Sequence, residues 1–327
     1  MKNPVSSYRV GPHVFNIINN STTDVMEALP SLTPFTTSVH TGHPPLFELH
    51  LTEDAEGAMT AEEQNTDFSF DWEDARCIIR PLANTCHIIA ITTRKAKKTY
   101  CMECTDSFRN CTAYLPAAKH TFQDSGVIPE STIGFVLNNF LMMLYAFNAA
   151  RHHTLLMHAS VVVSDNKGYL FLGKSGTGKS THSSLWLKQF PECHLLNDDN
   201  PVVHVDIPHS QVTVFGSPWS GKTPCYRNES MPVGAFVRLE QAPRNEIKKE
   251  STVRAFAALL PSCSCLKPNK EIYGGIVSAV TGLASLVPTF HLKCLPDQKA
   301  AMLCRKAVEK GSGKVTKQPY NEKERSE

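Results

Sequence analysis

The stretch YLFLGKSGTGKSTHSSLWLKQF, residues 169–190, leaves few options for the chain around it. An apolar run ends in glycines at 173, 176 and 178, and a Lys–Ser pair then opens a segment bearing Leu185, Trp186 and Leu187. Gly173-x4-Gly178-Lys179-Ser180 fits the P-loop (Walker A) pattern G-x-x-x-x-G-K-[ST]. There backbone N–H groups wrap a β-phosphate, the lysine reaches the β/γ oxygens and the hydroxyl ligates Mg²⁺. The loop follows a strand-like run and precedes a helix-like one, which is the context this geometry needs. Gly173, Ser175, Gly176, Thr177, Gly178, Lys179, Ser180 and Thr181 are therefore the candidate phosphate-binding residues, with ATP as the expected ligand.

Acidic residues follow at once. LLNDDNPVVHV (195–205) reads as the next strand with an acidic turn. If strand, loop, helix and strand form one βαβ unit, both strands end at the same sheet edge, which brings Asp198 and Asp199 beside the phosphates. One carboxylate can hold Mg²⁺ and the other can take a proton from an attacking hydroxyl. The sequence leaves open which does which. A second glycine-bracketed stretch, GSPWSGKTPCYRN (216–228), presents Ser220, Lys222, Thr223, Tyr226 and Arg227. Small residues permit close approach, and Lys222 and Arg227 supply charge for a γ-phosphate or an anionic acceptor.

Before residue 125 the texture is different. Short period-2 runs, HVFNII (13–18), LFELHL (46–51), RCIIRP (76–81) and CHIIAITT (86–93), predict a β-rich N-terminal α+β domain over 1–125. The acidic stretch 53–67 reads as a solvated loop or short helix. STIGFVLNNFLMMLYAFNAARHH (131–153) has apolar residues at helical spacing after a capping-type Ser131 or Thr132, and predicts a long buried helix joining the lobes over 126–153. In 154–309 a hairpin turning at Asn166–Gly168 feeds the glycine-rich loop. Strands follow at 212–216 and 235–241, then helices near 252–260, 271–286 and 296–309. The charged residues 310–327 read as a disordered tail.

With 41% hydrophobic and 20% charged residues and a formal net charge of +2, nothing points to nucleic acid or an anionic membrane as the main partner. Eleven cysteines without the even spacing of a secreted framework suggest reduced thiols in a cytoplasm. Cys101, Cys104 and Cys111 lack the second pair that a structural zinc site takes, and are read as free. No stretch is read as approaching the ~20 apolar residues of a membrane span.

The ordered set MHAS (157–160), hairpin, GKSGTGKS (173–180), short helix and LLNDD (195–199) resembles the HPr kinase/phosphorylase and phosphoenolpyruvate carboxykinase superfamily, and more closely its small HPr-kinase-related members. The resemblance covers roughly residues 155–245. It implies a mixed-sheet α/β kinase core, with Lys179 and Ser180 serving the phosphates and Mg²⁺. It also implies that Asp198 and Asp199 divide metal and base duty and that His158 lies near the phosphates. TVFGSPWSGKT (213–223) stands where bifunctional HPr kinases carry a basic-glycine segment with a metal-binding glutamate, so a bona fide HPr kinase is not expected. The implied activity is transfer of the γ-phosphoryl of ATP·Mg²⁺ to a hydroxyl, with serine, free or in a peptide or protein, as the expected acceptor. Pyrophosphate as donor stays open, as does a homo-oligomeric state. The alternative is an ATP-binding sensor without efficient transfer.

Overall fold

Strand alternation divides the second half of the chain between two apolar cores. The computed structural model describes residues 5–21, 27–38, 44–54, 64–71, 74–82, 85–95, 97–116, 130–221 and 223–311. The first strands are β1 (Val5–Val10), β2 (His13–Asn19), β3 (Glu48–Asp54), β4 (Phe68–Asp71), β5 (Ala75–Pro81), β6 (His87–Thr93), β7 (Thr99–Thr105) and β8 (Asn110–Pro116). They make a mixed eight-stranded sheet in the order β1-β2-β3-β8-β7-β6-β5-β4. All four period-2 runs named from sequence fall on strands of this sheet. Cys104 of β7 sits opposite Cys111 of β8, both buried, and all eleven cysteines are free thiols.

Helix α1 (Glu130–Ala149) then leads through a short 3₁₀ turn into β9 (Thr154–Leu156), β10 (Ala159–Ser164) and β11 (Lys167–Leu172). The hairpin between β10 and β11 turns at Asp165 and Asn166, both with positive φ, while Lys167 and Gly168 already pair in the ladder. That corrects the expected turn at Asn166–Gly168. Two left-handed residues match the strand twist, so the tightest connection wins. Beyond the glycine-rich loop come α2 (Lys179–Gln189), β12 (His194–Asn197), β13 (Val202–Asp206), β14 (Gln211–Phe215) and β15 (Ser230–Gln241). The chain continues as β16 (Glu246–Lys249), α3 (Thr252–Leu259), α4 (Lys270–Leu286), β17 (Thr289–Cys294) and α5 (Gln298–Gly311).

These strands form a mixed nine-stranded sheet that branches at β15. Its first residues pair with β14, and its remainder lies between β11 and β17. Val161 and Val163 of β10, Leu170 and Leu172 of β11 and Phe236 of β15 face one core, shared with α1, α4 and the N-terminal sheet. Val162, Tyr169, Phe171, Ala235 and Val237 face the other, where α2 and α5 cover them. Burial on both faces explains why ASVVVS and YLFL read as continuous apolar runs rather than alternating ones. Trp186 of α2 is fully buried, 5.4 Å from the rings of both Tyr169 and Phe171, with Leu185 and Leu187 at its flanks.

Helix α1 contains Ser131 and Thr132 rather than being capped by them, since Glu130 is already helical. With its 3₁₀ extension it meets the length and hydropathy of a membrane span over Ile133–His152, against the sequence expectation that no segment does. Protein covers it instead, with 78% of the apolar window buried. Tyr145 shows how it joins the two sheets. Its hydroxyl donates to the Val10 carbonyl at 2.7 Å, and its ring lies 6.5 Å from Phe15 and 5.2 Å from Trp219. Most of the acidic stretch and nearly all of the expected tail lie outside the described residues.

A Tyr145→Phe variant leaves the Val10 carbonyl buried without that donor. A buried hydrogen bond contributes about 0.5–1.5 kcal/mol net, so a fall of that size in unfolding free energy is expected in urea titrations followed by tryptophan fluorescence.

Candidate functional site

Strands β11 and β12 run parallel to each other with antiparallel β10 between them. This refines the simple βαβ unit expected from sequence. Both strands do end at one edge, and the inserted β10 begins at that same edge. Ala159 pairs with Leu172, the last residue before Gly173, and Val161 pairs with Asn197, the last before Asp198. The residue preceding Ala159 is His158. Three separate points of the chain, His158, the glycine-rich loop and the acid pair, therefore meet.

The loop is held open by backbone conformation. Gly176 and Gly178 have φ of 79° and 103°, a region that side-chain-bearing residues rarely adopt. Thr177 donates through both N–H and Oγ1 to the Lys174 carbonyl, at 3.1 and 2.6 Å. From the end of β15, the Gln241 amide donates to the Gly176 carbonyl at 3.2 Å. Helix α2 starts at Lys179, and its first N–H groups have no intrahelical partner, so the positive end of the helix faces the loop. Ser175, Ser180 and Thr181 are exposed around it.

Lys179 is buried, 8% exposed, and its ammonium donates to the Gly173 carbonyl at 3.0 Å and to His158 Nε2 at 2.8 Å. An ammonium has only donors, so His158 Nε2 is the acceptor and the ring proton sits on Nδ1. Nδ1 in turn donates to Asp199 Oδ1 at 2.9 Å. The result is a hydrogen-bonded row Lys179–His158–Asp199. Burial pushes the Lys179 ammonium below its usual range, and the charges of Asp199 and Asp198 pull it back.

The two aspartates have different surroundings. Asp198, 8% exposed, accepts from Ser160 Oγ at 2.6 Å on Oδ1 and from Thr223 Oγ1 at 2.8 Å on Oδ2. Ser160 spends its one proton on Asp198, so Ser183 of α2 is the donor in the 2.6 Å Ser183–Ser160 contact. The Asp199 side chain is 31% exposed and is steadied by the Asn200 amide at 2.8 Å, while its own N–H donates to Asn197 Oδ1 at 2.9 Å.

The second glycine-bracketed stretch folds over this pair. Ser220 Oγ accepts from the Asp198 N–H and donates to the Thr223 carbonyl, and a Cβ on Gly221 would come within 3.1 Å of Asp199. Lys222 lies outside the described residues. Arg227 pairs with Glu229 at 3.2 Å and does not join the row formed by His158, Lys179 and Asp199. Besides Lys174 and Lys179, the loop has beside it a cation that sequence reasoning missed, with the Glu240 carboxylate 3.9 Å from it. Arg238 of β15 lines the roughly 630 Å³ cavity that contains His158 and Gly173–Thr177, and it bonds His291 at 2.9 Å. In the sequence it was one basic residue in the strand run AFVRLEQ, and only the parallel pairing of Arg238 with Leu172 shows where it lies. Ser160 and Asn197 lie within the MHAS and LLNDD runs without a role read for them, and Gln241 carried no motif signal. A second cavity of about 530 Å³ adjoins Gly176–Gly178 and is walled by Leu185, Leu239, Leu295 and Pro296.

No protein-family model matches this chain, and no curated protein does. Among solved structures it is similar to the HPr(Ser) kinase/phosphatase from Coxiella burnetii. That match has 17% identity and a TM-score of 0.29, and covers 48% of this chain and 99% of that one.

Burial holds His182, on α2 directly after the loop, at a pKa of about 4, with Trp186 Nε1 donating to its Nε2 at 3.2 Å. The unfolded value is about 6.5, so the unfolded chain binds the extra proton first. This histidine's contribution is fully present above about pH 6.5 and is lost as pH falls through about 4. Urea midpoints should drop between pH 6.5 and 5, and His182→Gln should flatten that part of the curve.

Proposed function

We propose that the chain is a phosphotransferase that moves the γ-phosphoryl of ATP to a hydroxyl acceptor, with residues 154–309 carrying the transfer. The observation that carries this reading is the row Lys179–His158–Asp199 at the mouth of the glycine-rich loop. Phosphoryl transfer needs little covalent help from a protein. Positioning and charge neutralisation suffice, plus a base for the incoming hydroxyl.

Lys179 satisfies its buried charge on a neutral imidazole and a carbonyl. A phosphate on the loop offers an anionic partner, a stronger one for an ammonium. Lys179 then turns to the phosphate oxygens and leaves His158 Nε2 free as an acceptor. With Asp199 behind Nδ1–H, the imidazole can take the acceptor's proton, because the carboxylate stabilises the imidazolium that forms. The acceptor oxygen forms its bond to the γ-phosphorus, the bond from that phosphorus to the β–γ bridging oxygen breaks, and ADP leaves with the electron pair. Arg238 and the loop amides face the charge that develops on the transferring group.

This reading assigns proton duty to His158 and Asp199 together and leaves Asp198 as the metal-side carboxylate. Mg²⁺ is held in such sites by one or two carboxylates with phosphates and water rather than by a protein cage. Among the described residues no trio of His, Cys, Asp or Glu encloses a metal alone; in this reading Ser180 and Asp198 would be the protein ligands, each Asp198 oxygen keeping a lone pair beyond its bond from Ser160 or Thr223. The ion would neutralise charge on the phosphates. The apolar cavity beside Gly176–Gly178 favours ATP over pyrophosphate as donor, since pyrophosphate has nothing to place against Leu185, Leu239 and Pro296. Serine, free or in a peptide or protein, is the acceptor the sequence resemblance suggests.

With labelled ATP and Mg²⁺, Lys179→Ala should lose nucleotide affinity at least tenfold. His158→Ala should keep affinity within a few-fold and lose acceptor-dependent ADP release by about 10²–10⁴, the usual size of a general-base effect. Nucleotide binding with no acceptor-dependent release in the unaltered protein would instead make it a sensor. Equal binding by the unaltered and Lys179→Ala proteins would overturn the loop assignment.

A further inference from the structure

A cavity of about 740 Å³ shares His158 with the loop cavity and reaches Asp199. One wall is α1, through Phe135, Asn138 and Met142. The facing walls come from Leu29 and Pro30 of the N-terminal segment and from Trp219 and Tyr226 of the second glycine-bracketed stretch. It contains no residue of the phosphate loop.

Its charge pattern is unlike that of the loop side. Asp199 and His158 are the sole groups lining it, among the described residues, that can carry charge near neutral pH. An anionic ligand would meet the Asp199 carboxylate directly, with Lys179 held behind His158. Asn139 turns its amide back onto the Phe135 carbonyl. Asn138 and the Tyr226 hydroxyl, by contrast, make no hydrogen bond among the described residues, although both line the space. Asn138 and Tyr226 are unspent polar groups in a mixed lining, where Leu29, Phe135, Met142 and Trp219 stand among serines and asparagines, and roughly 300–1,000 Å³ is the size range of small-molecule sites.

We propose that this cavity is the acceptor site, and that it takes a small alcohol with an uncharged aromatic or apolar body, its hydroxyl presented to His158 and Asp199. The proposal rests on the phosphotransferase reading. Asn138 and Tyr226 fix the acceptor's orientation through hydrogen bonds, and Phe135, Met142 and Trp219 enclose its body. A free amino acid would leave most of the volume to water. Transfer yields ADP and a phosphate monoester, with the hydroxyl proton passing to His158.

N-acetyl-L-serine benzylamide is an uncharged probe of this class, and L-serine, D-glycerate and a seryl hexapeptide are its rivals. Binding of each to the full chain with ADP and Mg²⁺ can be followed by calorimetry, and acceptor-dependent ADP release can be measured with ATP. The benzylamide should bind at least tenfold more tightly than any rival. Asn138→Leu and Tyr226→Phe should each weaken it several-fold through KM rather than kcat, with melting temperature as the folding check. Tighter binding of L-serine or glycerate would overturn the proposal, as would tighter binding of the hexapeptide or benzylamide affinity indifferent to both variants. Benzylamide binding that depends on Asn138 and Tyr226 but gives no ADP release would keep the cavity as a ligand site and discard transfer. ADP release with a rival alone would keep transfer and discard the acceptor class.

Discussion

A buried ammonium is the constraint around which the site is arranged. Lys179 sits in the first turn of α2 with almost no access to solvent, and an unpaired charge there would be strongly destabilising. The fold meets that demand with two acceptors from different parts of the chain, the Gly173 carbonyl and His158 Nε2. Both are available because β10 starts where β11 ends. The insertion of an antiparallel strand between β11 and β12 thus supplies the histidine that a plain βαβ unit would lack.

The same edge gives two neighbouring aspartates different surroundings. Asp198 is enclosed by hydroxyls from β10 and from the second glycine-bracketed stretch, so its orientation is fixed and little of it is exposed. Asp199 keeps one oxygen on His158 and a side chain open to a cavity. Fixed orientation suits a group that must hold position while charge builds beside it, and openness suits one that must answer a proton arriving through an imidazole. Residues adjacent in sequence can differ this much because the bend after β12 sends their side chains to different neighbours.

How much of this was legible beforehand follows from how local each feature is. The glycine-rich loop, the helix after it and the apolar strands before it are local patterns, and periodicity and turn chemistry located them. Asp198 and Asp199 were legible because the intervening helix is short. Ser160, Gln241 and Arg238 were not, since their roles depend on strand pairing, with Arg238 reaching the edge through its parallel register with Leu172. Strands β16 and β17 were missed for a related reason. TFHLKC and EIKK have weak alternation of their own and exist through pairing at the far side of β15. Arg227 pairs instead with Glu229, two positions away.

The long helix α1 has more to do than join two sheets. Tyr145 ties it to Val10 and packs on Trp219, and Trp219 belongs to the stretch whose Ser220 and Thr223 hold Asp198. A continuous set of packed and hydrogen-bonded residues therefore runs from the N-terminal sheet to the acid pair. Close packing makes such a path stiff. A substrate enclosed between α1 and Trp219 would be held in a fixed relation to His158 without a closing motion to organise it, and rigid placement of the two reacting groups is where transfer of this kind gains most of its rate. On the proposed reading, Leu29 and Pro30 of the N-terminal segment would then belong to the reaction geometry as well as to the core.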